Sequence, residues 1–437
     1  MAPVLRNLAW LLAGKGVGAV LSLVYLALAA RRLGPEPFGQ FTLVLGTAQA
    51  IAAFVGFQSW QIVVRFGASR LGAGGEGRLS RLIAFCVSID IVAALAGCCL
   101  AWAGVTLMGP RLGWSSELSR MALLFCAAML LSVRSTAVGV LRLLDRFRLG
   151  ALADATTPVM RFVGALVVVA AGPSVVGFLL AWGAAEIATA AAYWIAARRT
   201  AGALVRWPRR SDLVQAPRET PDLWRFTWTT NMALTLEAGA RQVAVLLVGL
   251  LSGPVMAGNY RLAAQLSQAI VRVSDMAARA IFAEAARSGA SGTAGSAADP
   301  TLLLRRVSRL AIAAAGGLAL VLLFGRYGLL LLGGLAHLAA FPLLRLLAIA
   351  AAIDLAGVAF EPVLMAMGHA TRALVLRAVS GLVLLLALAA LLPSFGGIGA
   401  ATATVIASAC GFILFGVAAR RCVRAHSARS PLPELVP

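Results

Sequence analysis

The sequence predicts an all-α integral membrane protein of about twelve transmembrane helices, arranged as two six-helix lobes related by a parallel repeat. Three observations carry this expectation. The 437 residues are 61% hydrophobic and only 13% charged, and the mean hydropathy is +0.90, whereas a water-soluble domain is roughly half apolar. Apolar runs of about 20 residues, each long enough to cross a ~30 Å hydrocarbon core as a helix, recur along the chain. Finally, "RRLGPEPFGQF" at 31–41 is echoed at 251–260 by "LSGPVMAGNY".

The apolar runs fall at 8–30, 41–64, 82–107, 121–143, 151–171, 174–197, 226–250, 257–285, 307–325, 342–360, 373–392 and 399–419. The first, with Arg6 ahead of it, superficially resembles a secretory signal. It is too long for one and is interrupted by Lys15, so it reads as a retained helix. Between the sixth and seventh runs lies the longest charged segment, 198–225. It divides an N-lobe (1–197) from a C-lobe (226–437). The Gly/Ala/Ser-rich stretch 287–300 reads as a flexible loop, and 329–341 as a helix at the membrane surface.

The formal charge of +21 and the pI near 11.5 would suggest nucleic acid in a soluble chain. Here the placement of charge matters more than its sum. Lys15 is the single lysine and every other basic residue is arginine. With the N-terminus inside, the outer loops hold few of them (Arg31, Arg32, Arg111, Arg120, Arg326), so the positive-inside rule places both termini in the cytoplasm. No nucleic-acid partner is expected.

The echo explains the two-lobe reading. Gly34-Pro35 answers to Gly253-Pro254, Gly39 to Gly258 and Phe41 to Tyr260, all at an offset of 219 residues, about half the chain. Each copy follows the first span of its lobe and leads into the second. An even number of spans per lobe means that both copies enter from the same side, which makes the repeat parallel.

Ionisable residues within spans are costly and tend to face the bundle interior or a water-filled cavity. In the eighth span Arg261, Gln265, Gln268, Arg272, Asp275 and Arg279 recur at steps of three and four, on one helix face. That stripe extends roughly 27 Å at 1.5 Å per residue. Thr230, Asn231, Thr235, Glu237, Arg241 and Gln242 form a similar face on the seventh. The repeat offset maps Leu234 onto Lys15 and Gln268 onto Gln49, which adds the first two spans to the expected cavity. Glu237 with Arg241, and Arg272 with Asp275, are also spaced as intrahelical ion pairs. The cavity is net basic, and guanidinium groups suit phosphate or diphosphate. Arg134, Asp154, Arg161, Asp90, Glu186, Asp354 and Glu361 also fall in or near spans, with a helix–helix contact as plausible a role for each as ligand binding.

Motifs of soluble enzymes are missing. Gly72, Gly74 and Gly77 match a dinucleotide-binding pattern but follow no strand. His337, His369 and His426 are scattered, and the six cysteines show neither metal spacing nor a disulfide framework. No cofactor, no metal and no enzymatic activity are expected.

Several stretches together resemble the polysaccharide transporter family. They are "LGPEPFGQF" after the first span, "GFQSWQIVVRFGA" closing the second, "VLRLLDRFR" after the fourth, and "VLMAMGHATRALVLRAV" followed by "LLPSFGGIGAATATVI" near the end. These are the O-antigen and exopolysaccharide flippases of the superfamily that includes multidrug and toxin extrusion proteins and lipid II flippases. The resemblance implies a multidrug-and-toxin-extrusion-like fold in the bacterial inner membrane. It also implies alternating access, driven by an ion gradient, that moves undecaprenyl-diphosphate-linked oligosaccharide outward. Lys15, Arg65, Arg241 and Arg272 are the positions it assigns to the diphosphate and acidic sugars. The polar stripe and the repeat offset add Gln49, Gln265 and Gln268 to the same cavity, and Glu237 and Asp275 are the candidate coupling carboxylates, since protonation of either would release an arginine to bind phosphate. The expected partners are the lipid-linked oligosaccharide, membrane lipids, and the polysaccharide polymerase and chain-length machinery.

Three rival readings fit the sequence less well. A multidrug antiporter of the same fold would bind cations, which a basic cavity opposes. A membrane glycan ligase or polymerase would need a substantial outer loop. A purely structural scaffold would not require a continuous polar stripe.

Overall fold

The computed structural model describes residues 18, 20–72, 74–288, 300–358, 360, 361, 364 and 369–427. Among the described residues all regular structure is helical, because in hydrocarbon a helix satisfies its own backbone N–H and C=O groups. In chain order the long helices are α1 (20–33), α2 (Pro35–Val55), α3 (Ser59–Gly67), α4 (Glu76–Met108), α5 (Ser116–Leu131), α6 (Ser135–Leu143), α7 (Phe147–Ala171) and α8 (Val175–Ala201). They continue with α9 (Arg210–Glu219), α10 (Leu223–Ser288), α11 (Pro300–Gly333), α12 (Phe341–Gly357) and α13 (Ala370–Ser427).

Two of these are pairs of helices joined at a glycine: α10 turns at Gly253 (φ 83°) and α13 at Gly396 (φ 55°). Conversely, α2–α3 and α5–α6 are each one span with a break. Nine stretches of the described residues are long and apolar enough to cross a membrane, and two of them, Gln242–Ala269 and Thr371–Cys422, contain the glycine turns. The order of spans therefore follows the hydropathy reading.

The chain forms two compact units, Met1–Gly258 and Asn259–Pro437. In the first, α4 is the most enclosed span, and its Leu82, Ile83 and Phe85 pack with Ile62, Val63, Val140 and Leu141. A second cluster is aromatic: Tyr25, Phe41 and Phe178 surround Trp182, with edge-on contacts from Tyr25 (4.9 Å) and Phe41 (5.3 Å).

The echoed turn is the same structure twice. Gly34 has φ 80° and ψ 174°, and Gly253 has φ 83° and ψ 169°, a region that essentially only glycine occupies without strain. The two copies touch. A Cβ on Gly39 would fall 2.1 Å from the Pro254 carbonyl oxygen, and one on Gly258 would fall 3.3 Å from Gly39 Cα. Farther along, a Cβ on Gly249 would sit 2.1 Å from Leu43 Cδ2. Small residues thus bring α2 against α10 on both sides of its Gly253 turn within the first unit, as is common where lipid offers no hydrophobic drive between helices.

The connector is folded. In α9 the buried Asp212 carboxylate accepts from Arg206 Nη1 (2.9 Å) and from the Arg209 backbone N–H (2.7 Å). Arg81 pairs with Glu219 at 2.7 Å, and Arg70 donates to Thr220 Oγ1 at 2.5 Å, which fastens α9 to the spans below it. Burial raises the Asp212 pKa, but the Arg206 and Arg209 hydrogen bonds and charges outweigh it and hold the group below its ordinary value.

In the second unit α12 packs against both α11 and α13. Where a surface helix was expected at 329–341, α11 instead runs on to Gly333. Gly334 (φ 74°) then turns the chain into a short 3₁₀ helix, Leu335–Ala340. The buried His337 fixes that turn, its Nδ1 lying 2.8 Å from Asn259 Oδ1.

Candidate functional site

Among the described residues of the first unit, buried polar side chains from different helices meet at two places inside the spans. The first is the pair of breaks. α2 ends at Val55 and α3 restarts at Ser59, while α5 ends at Leu131 and α6 restarts at Ser135. A restarting helix leaves N–H groups without helical partners, and one buried carboxylate serves both restarts. Asp90 of α4 accepts from the Ser59 hydroxyl, from Thr136 Oγ1 at 2.6 Å and from the Thr136 backbone N–H at 3.2 Å. Trp194 Nε1 donates to the Val133 carbonyl at 2.7 Å, satisfying a group that the second break exposes. At Gly139 a Cβ would lie 2.8 Å from Trp60 Cα, so α3 and α6 are in close contact beside the breaks. Interrupted spans with satisfied backbone are common where transporters build binding sites.

The second place is a ladder between the antiparallel helices α7 and α8. Asp154, Thr157 and Arg161 lie at i, i+3 and i+7 on α7, and Glu186, Thr189 and Tyr193 at the same spacing on α8, so each set shares one face. They meet rung by rung: Tyr193 donates to Asp154 Oδ1 at 2.6 Å, the Thr157 and Thr189 hydroxyls are 2.8 Å apart, and Arg161 Nη2 reaches Glu186 Oε1 at 2.6 Å. At the last rung the ladder widens. Arg134, at the break before α6, places Nη1 2.6 Å from the other Glu186 oxygen.

Two guanidinium groups therefore share one carboxylate. Glu186 is 6% exposed, Arg161 13% and Arg134 35%. Arg161 also lies 5.5 Å from the Trp182 ring and 5.8 Å from Tyr25, and its Nε is buried without a hydrogen-bond partner. An anion entering beside Arg134 would meet a cation only half-neutralised by its counter-ion.

Of the residues that the sequence assigns to the site, Lys15 lies outside the described residues, as do the side chains of Glu237, Arg241, Arg272 and Asp275. Gln265 and Gln268 are half-buried on α10, between the buried neighbours Leu262, Leu266 and Ser267. Gln49 is half-buried on α2. Arg65 is exposed near the end of α3, its guanidinium 4.4 Å from the Phe226 ring. Asp90, Arg134, Asp154, Arg161 and Glu186 each make the helix–helix contact that was one of their two readings. Glu361 does too, since it pairs with Arg377 in the second unit. The sequence signal that would have joined them is the matched spacing of Asp154-Thr157-Arg161 and Glu186-Thr189-Tyr193.

Comparison with known proteins agrees with this architecture. A lipid II flippase, MurJ, in an inward closed conformation superposes with a TM-score of 0.72 at 12% identity, covering 96% of this chain and 90% of that one. An inward-facing multidrug resistance transporter of the MATE family gives 0.68 at 14% identity, covering 95% and 96%. At these identities the likeness concerns the fold alone. The Escherichia coli inner membrane protein YghQ is 28% identical over 294 residues, which is 65% of this chain and 80% of that protein. The family model described as "Polysaccharide biosynthesis protein" matches residues 4–282. Since that match spans well over half of its length, the chain belongs to the polysaccharide biosynthesis protein family, the flippase family that its sequence resembles.

Proposed function

We propose that this multi-pass membrane transporter is a flippase that carries undecaprenyl-diphosphate-linked oligosaccharide from the inner to the outer leaflet of the bacterial inner membrane. The observation that supports this beyond family membership is the guanidinium pair Arg134–Arg161, which shares the single carboxylate of Glu186 inside the spans. A diphosphate can take the place of Glu186 on one guanidinium through charge-assisted, bidentate hydrogen bonds. The other guanidinium keeps the carboxylate, so neither charge is left bare. Lys15, Arg65, Arg241 and Arg272, with Gln49, Gln265 and Gln268, are assigned to the rest of the path. Glu237 and Asp275 are assigned to ion coupling, and the two six-helix lobes (1–197 and 226–437, joined by 198–225) to alternating access with both termini cytoplasmic. Polymerase and chain-length proteins would receive the flipped unit.

The test is a deletion strain complemented with wild type, Arg134→Gln or Arg272→Ala at matched membrane levels, scored for surface polysaccharide and for lipid-linked precursor. Loss of surface glycan with precursor accumulating on the cytoplasmic face is expected for both variants. Normal glycan and normal precursor in the empty deletion strain would overturn the reading. The multidrug antiporter would then become the reading to test, by dye efflux.

A further inference from the structure

We propose that the second unit holds a binding site for an anionic phospholipid of the surrounding bilayer, in a groove between the two halves of α13. The groove has a volume of about 610 Å³. His369, Arg372 and Leu376 line one wall at helical spacing, and Ile413, Val417 and Arg421 line the other, also one turn apart. The two walls run antiparallel: Arg372, near the start of the first half, reaches the sulfur of Cys422, near the end of the second, at 4.0 Å. His369 and the two arginines therefore stand at one end, and the walls beyond them are apolar.

This polarity is that of a lipid. Ile413 and Val417 are 61% and 43% exposed, and so are neighbouring apolar side chains such as Val375, Leu382 and Leu386. Such a surface belongs in acyl chains. Arg372 and Arg421 sit at the helix ends, where a span meets the headgroup layer, and both are exposed. A phosphate at that level can take charge-assisted bonds from both arginines while its chains lie along Leu376, Ile413 and Val417. Basic pockets between spans at the membrane boundary suit such headgroups. The site lies wholly in the second unit, shares no residue with the Arg134, Arg161 and Glu186 cluster of the first, and is independent of the proposed cargo.

The experiment is native mass spectrometry of the full chain in detergent, with phosphatidylglycerol, phosphatidylcholine or undecaprenyl phosphate added. The proteins compared are wild type, Arg372→Gln/Arg421→Gln, Val417→Trp and, as a control, Arg420→Gln, an exposed arginine outside the groove. Wild type should retain phosphatidylglycerol over phosphatidylcholine. At roughly one charge contact per arginine, the double variant should lose about thirtyfold in retention. Val417→Trp keeps the charges but fills the groove, so it should lose retention while eluting as a monodisperse peak, which separates a lost site from a misfolded chain. Arg420→Gln should match wild type. Unchanged retention in the double variant and in Val417→Trp, or equal loss in Arg420→Gln, would overturn the proposal. So would displacement of phosphatidylglycerol by equimolar undecaprenyl phosphate, which would assign the groove to the cargo lipid.

Discussion

Replacing Glu186 with Gln keeps the shape of the side chain and removes the one negative charge between Arg134 and Arg161. Both ion pairs measure 2.6 Å, yet they should not contribute equally. Arg161 is 13% exposed, and a buried ion that loses its partner costs about 3–5 kcal/mol. Arg134 is 35% exposed, so solvent screens its loss to about 1 kcal/mol or less. The amide oxygen still accepts one charged hydrogen bond, which offsets about 1.5 kcal/mol or more. The expected net loss is about 3 kcal/mol, a factor of about 150 in the folding equilibrium. Arg161→Gln should cost less, because Glu186 keeps Arg134, although contacts with Tyr25 and Trp182 worth about 1 kcal/mol are lost too. The double variant should then fall short of the sum of the two by at least about 1 kcal/mol. The assay is reversible unfolding in mixed micelles by sodium dodecyl sulfate, followed by tryptophan fluorescence. Glu186→Gln within about 0.5 kcal/mol of wild type, or single effects that simply add, would refute the shared-carboxylate argument.

Asp90→Ala should destabilise the first unit by about 2–4 kcal/mol in the same assay, since it strips the partner from two helix restarts at once; Asp90→Glu, longer by one methylene, should recover only part of this. Gly249→Leu should abolish accumulation of folded protein, because its Cβ would already stand 2.1 Å from Leu43. A half-buried glycine with open space around it, such as Gly104, should accept alanine without loss, as monitored by fluorescence-detected size exclusion. For Asp212 the folded pKa lies below its ordinary value near 4. The stabilisation it provides is therefore complete above about pH 4 and is lost as pH falls through the folded value. Hydrogen exchange across 206–219 should be governed by Asp212→Asn at neutral pH and should show no opening of the wild-type connector between pH 7 and 5, once corrected for intrinsic rates.

Much of this protein was legible from its sequence because the bilayer imposes one-dimensional rules. Length and hydropathy alone mark a span, since a helix is the form that satisfies an isolated backbone in hydrocarbon, and the observed order of helices follows the runs read from composition. The Gly-Pro echo was equally legible. A conformation near φ 80° all but requires glycine, so two such turns half a chain apart had to be written with the same residue.

What periodicity cannot supply is the partner. Asp90 and Thr136 are separated by 46 residues, Arg134 and Glu186 by 52, and nothing local to either distinguishes a counter-ion from a ligand. Only the packing of α7 on α8 decided that Asp154, Thr157 and Arg161 meet Tyr193, Thr189 and Glu186 in register. The breaks before α3 and α6 were likewise hidden inside apolar runs, because the carboxylate that makes them affordable comes from α4. The sequence by itself determined which segments enter the membrane and where the chain repeats. The tertiary structure alone decided which buried charges neutralise one another, because pairing depends on distances between helices that no single helix encodes.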